Sequence, residues 1–274
     1  MNTATDTLSA SAGHAASGEA AHIHLPGPSF WPILLALGMG LVTTGFFFWA
    51  TGASANWWFG LGAIFCIVPA MGWATTIAAE RRHMDPAQTS TDLRRGFLLF
   101  LVSESCIFGS FFAHNIYLRF FAPAWPPPGA PVLATQLPAI GTLVLVLSSF
   151  TVNIAHHAIK NGKITRAKNW LILTIVMGIV FLGIQAYDWG FLLQFDKFTI
   201  SKGVFGSGYY LMTGFHGMHV LVGLLMLGLV YWRLERGDYN NPTYSFSTDA
   251  AAYYWHFVDI VWIFLFFTIY LIKF

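Results

Sequence analysis

Gly96-Phe-Leu-Leu-Phe-Leu-Val-Ser-Glu-Ser-Cys-Ile-Phe-Gly-Ser-Phe-Phe112 is an apolar run suited to a membrane span, interrupted by one carboxylate, Glu104. Counted from Arg95 at about 1.5 Å per helical residue, Glu104 lies about 14 Å into a hydrocarbon core about 30 Å thick, close to its midplane. An ionised carboxylate at that depth costs roughly 2.5 to 3.5 kcal/mol on insertion scales. The group is therefore expected to be neutral, hydrogen-bonded or functional.

The surrounding composition agrees with a membrane setting. Of 274 residues, 56% are hydrophobic and 9% charged, whereas soluble domains carry about a quarter charged. A formal charge of +2, with the basic residues in short loops, gives no footprint for nucleic acid. Cys66 and Cys106 both fall in apolar runs without Cys-x-x-Cys spacing, so they read as small core residues. Residues 1–25 are rich in Ala, Ser, Gly and Thr and read as a disordered tail, without the basic start of a secretory or transit segment.

Seven apolar stretches are long enough to span: about Trp31 to Gly52, Trp57 to Ala79, Arg94 to Phe121, Val132 to Ala158, Ala167 to Leu192, Val204 to Leu234 and Ala250 to Lys273. None alternates in polarity as a barrel strand would, so all seven are predicted to be helices. The loops after the second, fourth and sixth spans hold ten of the fourteen Lys and Arg residues. That excess places the amino terminus inside and the carboxyl terminus outside, as in a multi-pass protein of a bacterial inner membrane. Recurrent glycines such as Gly38 and Gly62 point to close helix packing. The charged loop Glu80 to Arg95 divides a two-helix unit, 26–92, from a five-helix bundle, 93–274.

Several polar residues fall inside these spans. His216 and His219 are three apart and share a helix face, as do His256 and Asp259. Such spacing permits metal ligation and equally permits hydrogen bonding between helices. The bulky Phe and Tyr residues around the histidines leave little room for a haem, so these side chains are read as structural and no metal is assigned. His156 and His157 close the fourth span, where a histidine interacts with the helix dipole or with lipid phosphate. Gln185 and Asp188 share a face near the outer end of the fifth.

Across the last five spans the sequence resembles subunit III of haem-copper cytochrome c oxidases. The motifs, in order, are Ser103-Glu104; Trp125-Pro126-Pro127; Ala155-His156-His157; Phe198-Thr-Ile-Ser201; Thr213-Gly-Phe-His-Gly-Met-His219; and Trp255-His-Phe-Val-Asp-Ile-Val-Trp262. The first two spans match mainly by hydropathy and by Trp31-Pro32. The resemblance implies an all-helical accessory subunit with no catalytic residue or cofactor of its own. Haem and copper would be held by subunits I and II, and cytochrome c would be engaged indirectly. It further implies two helices splayed from five around a V-shaped cleft that binds phospholipid, with contacts at Trp73 and Arg233. The family's carbodiimide-reactive carboxylate maps onto Glu104, linked to protons or purely structural. Asp188 stands where the family usually has glutamate, and Lys202 where it has an acid.

The function expected is that of a non-catalytic subunit of a proton-pumping oxidase, stabilising the core, holding lipid and supporting proton uptake. Quinol oxidases use a shorter third subunit, so seven spans favour a cytochrome c donor. The alternatives are a quinol-oxidising member of the same family or a membrane redox protein ligated by His216, His219 and His256. A proton-coupled carrier working through Glu104 lacks the expected inverted repeat.

Overall fold

The computed structural model describes residues 29–50, 57–80, 86–131, 133–195, 197–201, 203–240 and 245–272; the tail expected at 1–25, and Lys202, lie outside them. The protein is all-helical, with no strand among the described residues. Seven helices follow in order: α1 (Trp31–Ala50), α2 (Trp57–Glu80), α3 (Pro86–Phe121), α4 (Gln136–Lys160), α5 (Ile164–Gln194), α6 (Gly203–Arg236) and α7 (Ser245–Phe266), the last continuing as a π-turn, Phe267–Leu271. Helices α3 to α7 are long and apolar enough to cross a membrane, while α1 and α2 contain shorter apolar stretches, Trp31–Gly45 and Gly60–Trp73.

Helix α3 starts eight residues before Arg94, the start expected from hydropathy. Pro86 occupies its first position, where a missing N–H removes no helical bond. Hydropathy marks where a helix meets lipid, and backbone bonding continues beyond that point into water. The chain divides into two compact units between Asp85 and Pro86.

In the first unit, α1 packs along α2. Pro69 lies inside α2 and cannot donate to the carbonyl of Phe65, four residues back. Gly38 of α1 lies directly against that peptide, where an added Cβ would come within 2.5 Å of the Phe65 carbonyl carbon. Trp31 lies over Gly72 and donates its indole N–H to Thr76 Oγ1 at 3.1 Å.

In the second unit, α4, α5, α6 and α7 form a ring in which each packs on the next, and α3 lies outside it against α7 and α6. Two tryptophans of α7, seven residues apart and therefore on one side of the helix, fill the ring's centre. Trp255 is fully buried. Its ring occupies the space over Gly178 of α5 and Gly223 of α6, and its N–H reaches Ser148 Oγ of α4 at 2.8 Å. Trp262 donates to Thr142 Oγ1 of α4 at 2.9 Å and packs edge-on against Phe181 of α5, with centroids 4.7 Å apart. Each indole therefore touches helices it is not part of, and the absence of a Cβ at Gly178 and Gly223 admits the first of them.

A Cβ on Gly178 would lie 2.6 Å from the Trp255 ring and 2.7 Å from Leu224. We expect Gly178→Val to destabilise the bundle by about 1–3 kcal/mol through overpacking. Gly183→Ala, at a position with open space around it, should change little. Thermal unfolding of the detergent-solubilised protein compares the two, and equal stability would refute this account of the core.

Candidate functional site

Three polar contacts join α3 to the ring at three heights. Midway, Glu104 Oε2 lies 3.1 Å from His219 Nε2 of α6, with the side chains 15% and 6% exposed. The other ring nitrogen, Nδ1, lies 2.8 Å from the Phe215 carbonyl. A carbonyl only accepts, so Nδ1 carries a hydrogen. Nε2 and Oε2 then share one proton, as a neutral acid donating to imidazole or as a carboxylate accepting from imidazolium. The pair has no net charge either way, which is the condition hydrocarbon favours. Phe108 and Phe215 enclose the imidazole, with centroids 5.0 and 4.6 Å from it.

At the end of the bundle that holds the basic turns, Asp249 of α7 is 1% exposed and gathers three cationic or donor groups. Its Oδ1 accepts from His156 Nε2 at 2.7 Å and lies 3.1 Å from Lys160 Nζ, both on α4. Its Oδ2 pairs with Arg94 Nη2 of α3 at 2.5 Å. At the opposite end, Arg119 of α3 donates to the carbonyls of Thr268 and of Ile272, the latter at 2.8 Å. It thereby satisfies carbonyls at the close of the π-turn that the helix leaves unbonded, and its guanidinium lies 5.4 Å over the Trp125 ring.

A further polar group joins α4 to α7 within the span. Ser149 donates its hydroxyl proton to Asp259 Oδ2. His256 Nδ1 lies 3.2 Å from the same hydroxyl oxygen. His256 is partly exposed on the outer side of α7, and its second ring nitrogen bonds no described residue.

Toward the Arg119 end, Tyr209 donates to Asp188 Oδ2 at 2.8 Å and contacts the Tyr270 hydroxyl at 3.0 Å. Gln185 is buried there, its Nε2 without a partner among the described residues. Toward the basic end, Tyr239 in the turn after α6 lies 3.0 Å from the Ser247 hydroxyl. Burial pushes its phenol up, against the opposing effects of Ser247 and the neighbouring Arg233. Trp73 is partly buried in the first unit.

Several sequence expectations change in this light. His156, expected to face a helix dipole or lipid phosphate, is turned to Asp249. His157 stays exposed beside it, with ring centroids 5.9 Å apart. His216, expected to bond across helices, is fully buried and neither nitrogen has a partner among the described residues. It is held by ring packing, 4.9 Å from Trp262 and 5.7 Å from Phe181. His216 and His219 consequently serve different neighbours, and His256 serves a third. Cys106 faces outward. Among the described residues, no three of His, Cys, Asp and Glu gather closely enough to hold a metal ion. The sequence reading missed the roles of Arg94, Asp249, Ser149 and Arg119. An acid just ahead of an apolar span, with cations at the same end of the third and fourth spans, was the available signal for Asp249.

This arrangement defines a class: a multi-pass helical membrane protein whose ionisable side chains meet one another between helices instead of converging on a centre. The chain belongs to the cytochrome c oxidase subunit III family, whose family model matches residues 21–273. It is similar to cytochrome c oxidase subunit 3 of Patiria pectinifera, 36% identical over 255 residues covering 89% of this chain and 94% of that protein. The subunit 3 of a Synechocystis strain is 43% identical over 66% of this chain and 76% of its own length. That of Thermostichus vulcanus is 39% identical over 73% and 94% respectively.

Replacing Glu104 tests the shared-proton pair. Glu104→Gln keeps a donor for His219 Nε2 and should stay within about 1 kcal/mol of the parent, whereas Glu104→Ala orphans a buried nitrogen and should lose about 1–3 kcal/mol. Unfolding in detergent distinguishes them, and equal losses would refute the assignment. His216→Phe removes two unpartnered nitrogens from an aromatic site, so we expect unchanged or higher stability in the same assay; a large loss would show that the imidazole has a hydrogen-bonding role.

Proposed function

We propose that this chain is the non-catalytic third subunit of a haem-copper terminal oxidase that carries electrons from cytochrome c to oxygen in aerobic respiration. Subunits I and II would hold the haem and copper, and cytochrome c would be met through them. The observation that carries the reading is that the mid-span acid Glu104 and the histidine His219 close on each other between helices, in a chain matched to the family from residue 21 to 273.

A partly exposed imidazole about 15 Å from Phe246 along α7 supports a protein partner beside His256, because lipid tails offer no group to meet it. We place the basic end on the cytoplasmic side of a bacterial inner membrane, following the excess of Lys and Arg there. Lipid contacts are assigned to Trp73, whose indole suits the interface, and to Arg233, whose guanidinium suits a phosphate oxygen. Glu104 and His219 would act as a neutral strut supporting α3, and the subunit would sustain proton uptake by keeping the catalytic core and its lipid in place.

Purifying the oxidase with and without this chain tests the reading. Both preparations should begin turnover at similar rates, and the one lacking the chain should lose activity sooner. Equal durability over many turnovers would overturn the supporting role.

A further inference from the structure

Four cationic side chains, Lys160, Lys163, Arg166 and Lys168, cluster where α4 ends and α5 begins. Two are neutralised: Lys160 lies 3.1 Å from Asp249, and Lys168 lies 2.9 Å from Glu235. The other two, Lys163 and Arg166, have no acidic partner among the described residues. Both are exposed and line one cleft of about 240 Å³, together with His157, Asn161 and Asn153. Lys163 is also the residue that opens α5, and its side chain leaves the first turn uncapped, so the positive end of the helix dipole faces the same region.

Asn153 indicates what fills the cleft. It lies seven residues before Lys160, about 10 Å along α4 from that end, on an exposed side of a membrane-spanning helix. Its carboxamide bonds no described residue. A polar group at that depth needs a partner that reaches down from the surface. A small soluble anion would stay beside Lys163 and Arg166. A glycerophospholipid has the right layout, with its phosphate at the surface and its glycerol and ester oxygens below, where Asn153 can donate to them.

We propose that this cleft binds the headgroup of an anionic phospholipid, with the phosphate between Lys163 and Arg166 and an ester or glycerol oxygen on Asn153. It is separate from the lipid contacts assigned to Trp73 and Arg233, and it does not depend on the oxidase reading. The recognised chemistry is a phosphodiester, with net negative charge favoured by two cations that no acid among the described residues neutralises.

The test uses the purified complex containing the full chain, stripped of lipid by detergent washing and titrated with phosphatidylglycerol micelles. Phosphatidylcholine, and separately inorganic phosphate as competitor, form the other arms. Tightly held lipid is counted by native mass spectrometry, a readout independent of turnover. The parent should retain one phosphatidylglycerol more than the double variant Lys163→Gln/Arg166→Gln, whose affinity should fall about tenfold. Asn153→Leu should weaken retention too, while Arg95→Gln, an exposed cation outside the cleft, should not. All four positions are exposed, and unchanged thermal unfolding of the variants confirms that folding is intact. Equal lipid counts in parent and double variant would overturn the proposal. So would displacement of the lipid by inorganic phosphate, which would indicate a free-anion site, or loss of a partner subunit from the double variant without loss of lipid, which would indicate a protein contact.

Discussion

A hydrocarbon interior offers no water to a polar group, so every N–H and O–H placed there must find its partner within protein. The indole nitrogens show how this chain meets the constraint. Trp31, Trp189, Trp255 and Trp262 each donate to a hydroxyl on a neighbouring helix, namely Thr76, Thr213, Ser148 and Thr142. Each hydroxyl in turn donates to a carbonyl three or four residues back in its own helix: Gly72, Tyr209, Leu145 and Pro138. A hydroxyl accepts one bond and gives one, so neither partner is left unsatisfied. Apolar packing alone would let a helix rotate past its neighbour, because lipid tails are as apolar as leucine. A directed N–H···O–H link does not, and the small residues beneath the indoles allow the approach it needs.

The ionisable groups follow the same rule. Glu104 with His219, Asp249 with Arg94, His156 and Lys160, and Lys168 with Glu235 are each matched in type across helices. His216 departs from it, buried without a hydrogen-bond partner among the described residues. An imidazole flanked by Trp262 and Phe181 keeps ring contacts that offset the loss only in part.

Much of the fold was legible in the apolar runs, since only helices of such length satisfy their own backbone across a bilayer. Their ends were less so. Helix α3 continues back to Pro86 through residues whose charge says only that they stand in water. The site was half legible. Three-residue spacing correctly put His216 and His219 on one side of α6, but positions three apart differ by about 60° around the axis, and within a ring of helices that angle separates α5 and α7 from α3. Asp249 was missed because its partners come from positions 94, 156 and 160, which only packing brings together. The ordered motifs from Ser103 to Trp262 carried the family, and the family model spanning residues 21–273 agrees with it.

The placement of α3 has a consequence for how the bundle is assembled. Arg94, Glu104 and Arg119 lie about 15 and then about 22 Å apart along its axis, each engaged with a fixed point on α6 or α7. They act like the pins of a lock. A slip of one residue would break all three contacts at once and leave the Glu104 carboxyl facing hydrocarbon near the midplane, so no partly docked position is comfortable. Helix α3 should therefore seat in a single concerted step once α6 and α7 have met, which makes its docking a checkpoint on whether the rest of the bundle has been built correctly.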